Sequence, residues 1–149
     1  MTETKTQPIV YNAYVMMMFR DEYDEPVEIP LSAEVTTFDF TFAGTLILTL
    51  PNHKISVFSS KLWKTAEFIL KDADHTISRP LRLDVDNNDT DIYSTVEVDK
   101  PTGIVKGIVG EPDAPERLKA FNPEFNFYFE ITDIEKSVQD SGDYGPQDV

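Results

Sequence analysis

The chain has 149 residues, 13 Lys and Arg against 27 Asp and Glu, a formal net charge of −14, and no cysteine. Without thiols there can be no disulfide, iron–sulfur cluster, thiolate zinc site or cysteine nucleophile. The acidity opposes binding to nucleic acid or to an anionic membrane, because phosphate binding needs cations to replace counterions, and it favours basic partners.

The first apolar run, Ile9 to Phe19, is interrupted by Asn12. It is shorter than the roughly 18–20 residues a bilayer requires. Glu3 precedes it beside Lys5 and no small-residue cleavage site follows, so it reads as a strand rather than a signal peptide. The expected location is cytoplasmic or in a virion. Asp21, Glu22, Asp24, Glu25 and Glu28 follow at once and read as an acidic loop between strands. Pro26, Pro30 and Pro51 punctuate these early segments. Phe38, Phe40 and Phe42 then alternate with Asp39 and Thr41, and Leu46, Leu48 and Leu50 with Ile47 and Thr49. Alternation of this kind predicts half-buried antiparallel strands. Ala43-Gly44 between the two runs predicts a tight hairpin.

Leu62, Trp63, Ala66, Ile69 and Leu70 recur at helical spacing. They predict an amphipathic helix over about 60–73, with Ser59 or Ser60 as its N-cap. Period-two patterning resumes at Leu81, Leu83 and Val85, and again at Ile92, Ser94, Val96 and Val98. Lys100-Pro101-Thr102-Gly103 suits a type I turn. Gly103, Gly107 and Gly110 lack the Gly-Lys-Ser/Thr of a phosphate loop and read as bends or bulges in a strand from Ile104 to Val109. Asp113, Pro115 and Glu116 form a capping-box pattern that predicts a short helix near 113–121. Phe125, Phe127, Phe129 and Ile131 alternate once more, and residues 137–149 lose all periodicity. The fold class expected is mainly β: an antiparallel sandwich or open barrel with the 60–73 helix packed on it. One domain over 1–136 is followed by a flexible acidic tail or assembly arm over 137–149.

The best local cluster for chemistry is Asp84, Asp86, Asn88 and Asp91, with Asp89 among them. Oxygen ligands at alternate positions suit Ca²⁺. An EF-hand register from Asp84 fails, since Asp89 stands where Gly is needed and Thr95 where Glu is needed. A calcium loop between strands and a solvated turn remain as readings; no other cofactor is expected. His53 and His75 are the only histidines, and their spacing to hydroxyl residues does not match a paired His-x-Ser/Thr motif. No Gly-x-Ser-x-Gly elbow occurs. An enzyme is therefore not expected.

Charge is uneven. Between His53 and Arg82 the cations Lys54, Lys61, Lys64, Lys71, Arg79 and Arg82 outnumber three acids, so this island is basic in an acidic chain. It reads as a solvated face or as one half of an interface. Three functions follow: a structural subunit of a larger assembly such as a phage or viral virion, an acidic inhibitor that mimics nucleic acid toward a basic protein, or a Ca²⁺-dependent β-sandwich module. The first two name a protein partner, either copies of the chain or a basic protein, with no direct nucleic-acid or membrane binding. Mimicry would draw on Asp21–Glu28, Asp84–Asp91 and Asp113–Glu116 together.

Overall fold

The computed structural model describes residues 9–72, 77–86 and 89–135. They form strands β1 (Tyr11–Arg20), β2 (Pro26–Val35), β3 (Thr37–Phe40), β4 (Leu46–Thr49), β5 (Ile55–Phe58), β6 (Trp63–Leu70), β7 (Leu81–Val85), β8 (Asp89–Tyr93), β9 (Thr95–Val98), β10 (Val105–Glu111), β11 (Ala114–Phe121) and β12 (Phe129–Asp133). A six-stranded sheet runs β2-β1-β6-β11-β10-β9, and two three-stranded sheets run β3-β4-β5 and β12-β7-β8. All strand pairs are antiparallel. The six-stranded sheet is the middle layer. Ile108, Leu118 and Ala120 on one of its faces join Ala13, Val15, Ala66 and Phe68 against Leu46, Leu48 and Phe58 of the β3-β4-β5 sheet. Val105, Val109 and Phe121 on the other face pack against Leu83, Val85 and Tyr93. Tyr93 lies flat on Gly107, where an added Cβ would meet its ring at 2.5 Å. In place of the expected two-sheet sandwich or open barrel with a packed helix there are three antiparallel sheets of six, three and three strands that close into no barrel, and no helix among the described residues is long and apolar enough to cross a membrane.

Both expected helices are strands, and a β-bulge accounts for each. The pairing of β1 with β6 slips so that Met16 faces Thr65 while Met17 faces Trp63, leaving Lys64 as an extra residue. A bulge resets the alternation of side chains across the sheet. Trp63, Ala66 and Phe68 all reach the core as a result. The three-residue step from Trp63 to Ala66 imitates a helical turn. On β11 the slip falls between Val109 and Gly110, which face Arg117 and Pro115, so Glu116 is the extra residue. Pro115 and Leu118 are then buried three residues apart. Asp113 caps nothing helical; with Pro112 it forms the turn that joins Glu111 to Ala114. Likewise Ser59 caps a turn: its Oγ accepts from Lys61 N at 3.1 Å and its carbonyl from Leu62 N at 2.9 Å. The only helical residues described are Ile134 and Glu135.

Two alternating runs also shift. Tyr93, not Ile92, is the buried residue of β8, and Ser94 is a bend separating β8 from β9. Strand β12 begins at Phe129, so Phe125 and Phe127 lie in the loop before it. The hairpin at Ala43-Gly44 exists but is wider, since β3 already ends at Phe40. Its turn has two counterparts. Thr41 N donates to Thr45 O and Gly44 N to Thr41 O, Asp21 N to Glu25 O and Asp24 N to Asp21 O, Leu50 N to Lys54 O and His53 N to Leu50 O. In each turn the fourth residue has positive φ: Gly44, Asp24 and His53. That is the three-residue hairpin loop with a left-handed bulge residue. The expected tail, 137–149, lies outside the described residues.

The Lys64 bulge leaves backbone carbonyls without ladder partners, and two buried asparagines take them. Asn122 Nδ2 donates to Ser60 O and Trp63 O at 2.6 and 2.7 Å, and Asn126 Nδ2 donates to Lys64 O at 3.0 Å. Asn122 N adds a bond to Lys64 O at 3.0 Å. A buried carbonyl stripped of its donor costs ~1–3 kcal/mol. Asn122→Ala is therefore expected to lower unfolding free energy by about 2–4 kcal/mol, since it strips two acceptors at once. Urea denaturation of the variant checks this; a loss under about 0.5 kcal/mol would show that the bulge needs no such support.

Candidate interaction surfaces

Among the described residues the β7–β8 hairpin sets the candidate calcium ligands Asp84 and Asp91 on different faces. In the β7–β8 hairpin Asp84 faces Thr90 and Leu83 faces Asp91, so Asp91 shares the inward face of Leu83 while Asp84 is on the other side. Thr90 Oγ1 donates to Asp84 at 2.6 Å and Arg82 Nε at 3.1 Å, and these bonds hold the Asp84 carboxyl below its usual range. Asp86 has φ 53 and its Oδ1 accepts from the backbone N–H groups of Phe127 and Tyr128 at 2.9 and 2.7 Å. Asn88 lies outside the described residues, as does His75. Among the described residues no three His, Asp or Glu side chains stand close enough to hold a metal. His53 is an exposed turn residue.

The basic island is dispersed by pairing. Lys64 Nζ sits 2.6 Å from Glu28, Lys71 Nζ 3.0 Å from Glu34, and Arg82 Nε 3.1 Å from Asp84. Arg79 precedes β7, far along the chain from the β5 turns. Lys54 and Lys61 stand in the turns at the two ends of β5, both exposed. With the half-buried Arg79, they are the cations of the island that form no ion pair among the described residues.

Arg117 and Lys119, expected in a helix, form a cationic row on β11. Arg117 Nη2 reaches Asp91 at 2.6 Å and Glu67 at 2.5 Å, and Lys119 Nζ reaches Asp89 at 3.1 Å. Asp89 and Asp91 thus clamp β8 onto the middle sheet. Burial, the largest single effect, raises the Asp91 carboxyl pKa, but the hydrogen bonds from Arg117 and the Ile92 N–H together with the charges of Arg117 and Lys119 outweigh it, and the net shift is downward. The guanidinium also lies 5.3 Å from the centroid of the Tyr93 ring.

One surface feature was not legible as such in the sequence. The ladder of β1 with β6 ends at Met17, but the ladder of β1 with β2 continues through Met18–Glu28, Phe19–Val27 and Arg20–Pro26. Met18 N makes one more bond, to Leu62 O at 2.7 Å. Beyond that point the hairpin overhangs the sheet. Phe19, Val27 and Ile29 share the face that carries Val15 and Leu31 into the core, and each is more than a third exposed. The tip is fixed by Asp21, whose Oδ1 accepts from Tyr23 N and Glu25 N at 2.9 Å each. It presents Tyr23, 77% exposed, among Asp21, Glu22, Asp24 and Glu25. A second apolar area is the outer face of the β3-β4-β5 sheet. Ile47 faces Val57 and Thr49 faces Ile55 there, with Ile55 64% and Val57 63% exposed.

The Tyr93 hydroxyl is buried and has no hydrogen-bond partner among the described residues. Burial pushes its pKa above the ordinary value of about 10. A pKa raised in the folded state gives stability that is complete below pH ~10 and lost as pH climbs toward the folded value. Tyr93→Phe removes an unsatisfied group, so at pH 7 it is expected to leave stability unchanged or to raise it by up to about 1 kcal/mol. Above pH ~10 the variant should gain further on the parent. Urea unfolding of both proteins across pH 7–11 checks this, and a destabilised variant at neutral pH would contradict it.

Comparison of the chain with family models, with curated proteins and with solved structures found no match.

Proposed function

We propose that this chain is a non-enzymatic structural and interaction protein, a subunit of a larger assembly such as a virion. The observation that carries the reading is the overhanging β1–β2 hairpin. A two-stranded ribbon alone is marginally stable in water and holds best when its apolar face is packed. Here that face, Phe19, Val27 and Ile29, is continuous with the core yet remains exposed at its outer end. The tip is held rigid by Asp21, so ordering it on a partner costs little conformational entropy. Tyr23 stands forward of it, and tyrosine is among the residues that most often anchor protein interfaces.

The ion pairs of the β7–β8 hairpin argue against an extended nucleic-acid mimic. Asp84, Asp89 and Asp91 are bound to Arg82, Lys119 and Arg117, so the acids of β7–β8 are spent within the fold. The tip acids form one compact cluster rather than a phosphate-like row.

Size exclusion with light scattering, over a concentration series at about 0.05 M and about 0.5 M salt, tests the reading. The expected result is a mass above the 17.0 kDa of one chain that grows with concentration. A strict monomer in both salts at several hundred micromolar would sink it.

A further inference from the structure

We infer that copies of this chain associate head to tail, the overhanging β1–β2 hairpin of one copy lying across the outer face of the β3-β4-β5 sheet of the next. The inference rests on the assembly reading and names its contact. Both surfaces are apolar at the centre: Phe19, Val27 and Ile29 on the hairpin, Ile47, Ile55 and Val57 on the sheet. Their rims have opposite charge. The tip carries Asp21, Glu22, Asp24 and Glu25, countered only by Arg20, which lies 3.7 Å from Asp24. The sheet has Lys54 and Lys61 at the ends of β5; from Thr37 to Lys61 the one acid is Asp39, which pairs with Ile47 on the same outer face, so two cations against one acid leave the area net positive by one.

Charge also selects the mode of association. A two-fold contact of hairpin on hairpin would set four carboxylates against four, and one of sheet on sheet would set lysines against lysines. Like charges juxtaposed in an interface are strongly unfavourable. Hairpin on sheet is the pairing that joins opposite signs, and a contact between two different patches propagates into rings or filaments. The net charge of −14 does not forbid it. At physiological ionic strength the Debye length is about 8 Å, so repulsion between distant parts of two copies is screened while charges in contact are not.

The dimensions agree. Three strands of four residues make a face roughly 14 Å on a side, and the overhang covers a similar span. Such a contact covers only about 200 Å² on each side, well below a standard interface, so each one is weak and the assembly depends on repetition.

Charge exchange between copies tests this by sedimentation equilibrium. One variant carries Glu22→Lys and Glu25→Lys, the other Lys54→Glu and Lys61→Glu. All four side chains are outside the core, so both variants should melt with the parent. Each alone has hairpin and sheet of the same sign and should associate at least tenfold more weakly. Mixed in equal amounts, each hairpin meets a sheet of opposite sign and association should return to the level of the parent. A third variant, Ile55→Ser with Val57→Ser, removes the apolar centre and should also weaken association at least tenfold. If the parent assembles but neither charge variant differs from it, or the mixture fails to recover, the contact is wrong and the assembly reading survives. Assembly that halts at a dimer means a two-fold contact and overturns the head-to-tail mode. A parent that stays monomeric overturns the assembly reading itself.

Discussion

The extra residue at Lys64 governs both the core and the shape of the surface. It turns Trp63 inward, where the indole is fully buried and its Nε1 donates to Gly44 O at 2.8 Å. That bond ties the β3–β4 turn to the middle sheet. Gly44 lies in the left-handed region and an added Cβ would meet Ser60 Cβ at 3.3 Å, so the turn approaches the β5–β6 connection closely. The strand that holds Trp63 cannot extend further toward the hairpin tip, because the chain reverses at Ser59–Leu62. Strand β1 therefore loses its β6 neighbour at Met17 and runs on with β2 alone. The bulge thus anchors the core, and the chain reversal just before it leaves the hairpin overhanging.

Electrostatics shape the surface more than they hold the fold. Lys64–Glu28 and Lys71–Glu34 are partly exposed pairs, worth ~0–1 kcal/mol each. Their larger effect is to remove two cations and two acids from what a partner would meet. Arg117 differs: its side chain is 18% exposed and it carries two carboxylates at once. Breaking such a group leaves partly buried charge uncompensated, which costs more than the pair gains. Among the described residues, Asp21, Glu22 and Glu25 of the hairpin tip and Lys54, Lys61 and Asp39 of the β3-β4-β5 region stand outside these ion pairs.

The sequence made the strands legible wherever alternation ran unbroken, as in Leu46–Thr49 and Leu81–Val85, and β1 was legible as an apolar run too short to cross a bilayer. It failed at β6 and β11 because a bulge inserts one residue without any mark in composition. Lys64 and Glu116 are ordinary polar residues, and the three-residue steps they create match a helix better than a strand. Gly110 next to Pro115 was the available hint, since positive φ on one strand opposite a proline on the other suits a bulge. Beside Ala66 and Leu70, at good helix spacing, local propensity pointed the wrong way, and pairing on both sides in the middle of a sheet overrode it. The charged island misled for a related reason. Lys64 and Lys71 lie close in sequence to Lys61, but their partners Glu28 and Glu34 come from β2, and only the register of β2 on β1 and β1 on β6 brings them across.

Three of the sheets' edge strands, β2, β9 and β5, are poor templates for strand addition. Strand β2 is an edge of the middle sheet, and it contains Pro26 and Pro30. Proline has no N–H to offer an incoming strand, and it is tolerated in a sheet where that position faces solvent. Two such residues four apart leave the edge a poor template for strand addition, a common protection against aggregation. Strand β9 at the opposite edge has only four residues. Lys54 and Lys61 bracket β5, and lysine at an edge opposes the approach of an identical strand. Edge-to-edge pairing is therefore blocked by prolines, brevity or charge on these three edges. The apolar overhang of the hairpin has no such guard, and its one charged border is acidic. A surface protected against random pairing yet open on one defined face is what a specific repeating contact requires.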